Sequence, residues 1–158
     1  MVKEILLLGN EKLYETSCDI KKEELGEIKA VVEDLHDTLI EFRATYGAGR
    51  AIAAPQIGVQ KRLLYMLIDK PVIFINPTLE FIDEEQMEVM DDCMSFPHLL
   101  VKVKRYKRCK IKYQDMNWQT CEMWLEGDLS ELLQHEYDHL DGILATMRAI
   151  NKQSFYYN

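Results

Sequence analysis

His135-Glu136-Tyr137-Asp138-His139, HEYDH in one-letter code, is the stretch on which the reading of this chain turns. On a helix, two histidines four residues apart stand one above the other on a single face, and the glutamate beside the first turns its carboxylate toward whatever they hold. Two imidazoles are two points of a metal site, and a third ligand is needed. From Leu140 to Asn158 there is no His, Cys or Glu, and Asp141, two residues on, lies on another face. Upstream candidates are Cys93, Cys109, Cys121, His36, His98 and many carboxylates. Cys93 stands out because MDDCMSFP, residues 90–97, leaves a strand for a turn that closes on Pro97. Cys109 and Cys121 sit in alternating strands, where a small apolar side chain is the commoner explanation, and His36 occupies the polar flank of a long helix.

Working outward, EGDLSELLQHEYDHLDGIL reads as one helix, with Asp128 as the expected N-cap and Glu131 completing a capping box. Between Lys22 and Phe42 the apolar residues Leu25, Ile28, Val32, Leu35, Leu39 and Phe42 alternate at three and four, which predicts a long N-terminal amphipathic helix. YGAGRAIAAPQIG breaks it with small residues that let another group approach the backbone. RLLYMLI (62–68) and VIFIN (72–76) read as buried strands, LEFID and QMEVM as more exposed ones. LLVKVKR (99–105) alternates, and CKIKYQ and TCEMWLE flank DMNW as a hairpin. The expected fold is α+β: a mixed or antiparallel sheet packed on the HExxH helix, in one domain spanning residues 1–158.

Composition limits the function. A net charge of −8 argues against broad binding to DNA or to an anionic membrane, both of which need surplus Lys and Arg. The start, MVKEILLLGNEKLYE, lacks a long apolar core and cleavage site, and no run of apolar residues is long enough to span a bilayer. A cytoplasmic location with free thiols is expected, since the four cysteines form no CxxC pair. The basic run KVKRYKRCKIK holds seven Lys or Arg and reads as the solvent face of strands in preference to a transient ribosome contact.

Three blocks in order resemble the peptide deformylase family. Gly49 to Gln56 (GRAIAAPQ) is similar to its glycine-containing first block, Asp91 to Ser95 (DDCMS) to its second, and Gln134 to His139 (QHEYDH) to its third; the similarity covers about nine-tenths of the chain. The resemblance implies that Cys93, His135 and His139 hold one divalent metal ion and leave a fourth position open. Fe2+ is the metal associated with the family, replaceable by Zn2+, Ni2+ or Co2+. It implies hydrolysis of the N-formyl group of nascent polypeptides, with Glu136 as general base and then acid, and with the Gln56 side chain and the Met94 N–H as oxyanion donors. The rivals are an HExxH zinc peptidase, which takes its third ligand downstream, and a deformylase-like protein without activity or acting on another formylated or acylated amine.

Departures from the family pattern fall in two places. Asp91 and Asp92 stand where the second block has Glu and Gly, and Asp92 is expected to cost some strain if that glycine serves a positive φ. Substrate-pocket positions implied by the family are Gly49, Arg50, Ala51, Glu131 and Leu132; Arg50 and Glu131 are expected to form an ion pair that makes the wall polar, the capping box being the alternative role for Glu131.

Overall fold

Alternating apolar positions carry Leu25–Tyr46 into α1, which a 3-10 turn at Lys22–Glu24 precedes and Gly47, at φ 72°, ends in the left-handed conformation that suits a helix C-terminus. The computed structural model describes residues 1–158. After α1 come β1 (Ala51–Ala53), β2 (Leu63–Leu67), β3 (Pro71–Phe81), β4 (Gln86–Asp91), β5 (Leu99–Tyr106), β6 (Arg108–Gln114) and β7 (Thr120–Glu126). The chain then forms α2 (Asp128–Leu140) and ends near β8 (Phe155–Tyr157). One sheet runs β1-β2-β3-β6-β7 and a smaller one β4-β5-β8, and every strand pairing is antiparallel. The architecture is α+β with antiparallel sheets.

The period-two pattern of β2 decides what covers each face. Leu64 and Met66 join Ala53, Phe74, Ile111, Leu133 and Leu140 beneath α2, whereas Leu63 and Tyr65 join Ile28, Leu35, Leu39, Ile52 and Ile75 beneath α1. A third cluster, Cys93, Phe96, Val101, Val103 and Ala145, fills the space under the smaller sheet. Each fully buried Leu or Ile in these layers stabilises the fold by roughly 1.5–3 kcal/mol. Together they fix α2 between the two sheets, so that its buried face meets the Cys93 segment.

Two local expectations need correction. VIFIN and LEFID form one strand, β3, whose register shifts between Ile75 and Thr78. Asn76, at φ 50°, makes that bulge, and its side chain accepts from the Ile20 N–H and donates to the Ile20 carbonyl, both at 2.8 Å. The Asn-Pro pair thus anchors the N-terminal segment instead of ending a strand. The N-cap of α2 is Gly127, at φ 62° and ψ −126°, with no side-chain cap. Asp128 is already helical; Glu131 gives only its backbone N–H, to the Gly127 carbonyl at 3.0 Å, so no capping box forms.

Candidate active site

α2 presents His135 and His139 on one buried face with ring centroids 5.1 Å apart, and the turn after β4 brings Cys93 against them. The Cys93 Sγ lies 3.4 Å from His139 Nε2, and one donor atom from each of the three residues falls within 4.8 Å of the others. A thiolate and an imidazole on one tetrahedral ion would stand about 3.6 Å apart. The donor set of one thiolate and two imidazoles suits Zn2+ or Fe2+. Cys109, Cys121, His36 and His98 lie outside this cluster. Cys109 is buried in the sheet, and His36, which is half-buried and not on a solvated flank, meets the Tyr65 hydroxyl at 2.6 Å.

Groups around the triad hold it from several sides. Gln56 is buried; its carbonyl accepts from the Ala53 N–H at 2.9 Å, and its amide donates to Ser95 Oγ at 3.1 Å and reaches Cys93 Sγ at 3.6 Å. The Ser95 N–H approaches the same sulfur at 3.5 Å. The Met94 N–H donates to no protein acceptor. Leu6 and Leu8 donate to the carbonyls of Gln56 and Ser95, which ties the two loops together through the N-terminal segment. Glu136 Oε1 and His139 Nδ1 are buried without a protein partner. Such orphaned atoms are costly in a fold; the Glu136 oxygen, beside a Cys/His/His cluster, fits the reactant on a bound metal, whereas His139 Nδ1 is the ring nitrogen away from Cys93. Burial pushes the Glu136 carboxyl up to about 7.

An ionic cluster unseen in the sequence lies behind His135. Arg105, 3 % exposed, donates to Asp91 at 2.6 and 3.2 Å and to Asp138 at 2.8 Å; Asp138 also accepts from Arg148. Asp91 Oδ2 in turn meets His135 Nδ1 at 3.1 Å, which leaves Nε2 for the triad side. Burial alone would raise the Asp91 pKa, but the hydrogen bond and charge of His135, with Arg105, hold it well below the usual carboxylate range. The signal for Arg105 was available: it continues the inward face of Val101 and Val103 on β5. Elsewhere the basic run is a solvent face: Lys107, Arg108, Lys110 and Lys112 all pair with acids.

Cys93 and His135 of the triad line a cavity of about 430 Å³, together with Gly49, Arg50, Ala51, Asp92, Met94, Glu131, Leu132 and Glu136. Arg50 and Glu131 share it but form no ion pair, since no nitrogen–oxygen separation is within 4.0 Å. The Glu131 carboxyl instead meets that of Asp91; burial and this neighbouring carboxyl push it up to about 8. Asp92 has no positive φ, so the expected strain is absent.

A Cys/His/His cluster beside a buried carboxylate, open to a cavity, defines a hydrolase of the metal-dependent kind. Residues 2–155 match the family model described as polypeptide deformylase. The peptide deformylase of Thermotoga maritima is 36 % identical over 118 residues, 74 % of this chain and 69 % of that one. A crystal structure of the enzyme from the same organism superposes with a TM-score of 0.86 at 32 % identity, covering 96 % of this chain and 99 % of that one. The Acinetobacter baumannii peptide deformylase with Met-Ala-Ser bound superposes at 0.85 and 25 % identity, covering 94 % and 98 %. This chain belongs to the polypeptide deformylase family.

Proposed function

We propose that this chain hydrolyses the N-formyl group from the N-terminal formylmethionine of nascent polypeptides, releasing formate, at the cavity where Cys93, His135 and His139 hold one divalent metal ion on the HExxH helix. Convergence of those three donors with a partnerless Glu136 oxygen carries the reading. The metal, when bound, supplies a Lewis acid that polarises the formyl carbonyl and acidifies water toward neutral pH. Ferrous iron is the native ion in this reading, with Zn2+, Ni2+ or Co2+ as substitutes for a site of these donors.

Glu136 then takes a proton from the attacking water and returns one to the leaving amine nitrogen; a carboxyl raised by burial is suited to both transfers. The free Met94 N–H and the Gln56 amide, already aimed at the Cys93 sulfur, donate to the developing oxyanion. Gly49, Arg50, Ala51, Glu131 and Leu132 receive the substrate, in keeping with their place on the cavity wall. β1 is an edge strand of its sheet, which suits an extended peptide laid alongside it. No helix is long and apolar enough to cross a membrane.

The test is formate release from formyl-Met-Ala-Ser by protein loaded anaerobically with Fe2+ or Ni2+, alongside metal content. One metal per chain and turnover are expected, with both lost in Cys93→Ala. Full metal content without formate release would remove the proposal.

A further inference from the structure

The cavity beside the triad has two unlike walls. Phe42 and Tyr46 stack with centroids 4.4 Å apart, and Tyr46 meets His98 edge-on at 6.1 Å, making one wall aromatic. The other carries Arg50, Asp92 and Glu131. Arg50 is anchored at the start of β1, where its carbonyl accepts from the Leu67 N–H, while its exposed side chain makes no ion pair or hydrogen bond within the protein. Glu131 stands one helical turn before His135 and is half-buried. Burial and the Asp91 carboxyl push its pKa up to about 8, which the Arg50 charge offsets only in part, and the Arg50 and Glu131 side chains do not touch.

A formyl carbon placed at the triad puts the first residue's side chain within a few bonds of it. That side chain shares the cavity beside the triad with Glu131, Leu132 and Arg50, which line it. An alkyl end there displaces water from a guanidinium and a carboxyl and replaces none of the hydrogen bonds. A carboxylate end meets the anionic Asp91 and Asp92, which also line the cavity, and an ammonium end meets Arg50. A neutral group with an oxygen acceptor satisfies Arg50 without adding charge.

We infer that Arg50 and Glu131 set specificity: resting on the deformylase reading above, they favour a formylated first residue whose side chain ends in a neutral oxygen acceptor, a carboxamide or a sulfoxide, over an apolar end. Formyl-X-Ala-Ser peptides with X as norleucine, methionine, methionine sulfoxide or glutamine test this, because the four side chains are close in length and differ in their polar end. kcat/KM is measured on Ni2+-loaded protein, and binding of the deformylated X-Ala-Ser peptides to the same protein is measured by calorimetry. Wild type should prefer glutamine or the sulfoxide over norleucine at least tenfold in both measurements, and whichever of the two leads identifies the acceptor. Arg50→Leu/Glu131→Leu should reverse the order; Arg50→Leu alone, at an exposed position, serves if the double variant does not fold. A wild-type ratio at or below one, or a ratio unmoved by the substitutions, overturns the inference. Formate release from none of the four, with metal content intact, overturns the deformylase reading instead, and the calorimetric ratio still decides the specificity.

Discussion

Replacing Arg105 by Met probes the buried ionic cluster that orients His135. In the wild-type protein Arg105 neutralises Asp91 and shares Asp138 with Arg148. Removing one partner of a buried ion pair costs about 3–5 kcal/mol, because a carboxylate is left without compensation. Arg148 still serves Asp138 and His135 still meets Asp91, so the lower part of that range, about 3–4 kcal/mol, is expected, nearly all of it through Asp91. With an unfolding entropy of about 2.1 cal/mol/K per residue, the 158-residue chain should lose roughly 9–12 °C in Tm. The pH dependence has a definite sign. Asp91's depressed pKa contributes stability above its unfolded value of about 3.9 that is lost as pH falls through the folded value. Without Arg105 the Asp91 carboxylate takes up a proton at higher pH, although His135, the larger cause of its depression, remains; the gap between wild type and variant should therefore narrow on acidification from pH 7. Urea titrations at pH 7 and at lower pH measure this. Adding Asp91→Asn should recover part of the loss, whereas a deficit below 1 kcal/mol at pH 7, or a gap that widens on acidification, would refute the reasoning.

Gly142→Ala should destabilise the fold by more than 2 kcal/mol in the same titration, because its φ is +71° and a Cβ would lie 2.4 Å from the Tyr14 carbonyl oxygen. Leu39→Ala, at a fully buried position on the inner face of α1, should cost about 2–5 kcal/mol. Formate release should rise with pH to a plateau, with an apparent pKa at or below about 7, because Glu136 must be a carboxylate to accept a proton and positive charge at the triad favours that form. A rate that falls between pH 6 and 8 would put the base elsewhere.

The chemistry was more legible in the sequence than its support. Helical spacing placed His135 and His139 on one face, and the family resemblance singled out Cys93; all three come together although the cysteine is over forty residues away. Arg105 was hidden because charge in a basic run reads as solvated, and only the register of β5, with Val101 and Val103 inward, turns it into the core. Asp138, within HEYDH, closes the same cluster. Glu131 read as a cap because capping follows local spacing; its partner, Asp91, comes from β4, and no local pattern links the two. Local periodicity gave the elements, whereas these partners depend on which strand neighbours which helix.

Glu136→Gln compared with wild type at equal metal content tests the central claim most directly. The account predicts that the variant folds, holds one metal ion and releases formate from formyl-Met-Ala-Ser about 10²–10⁴-fold more slowly. Equal rates at equal metal content would contradict it.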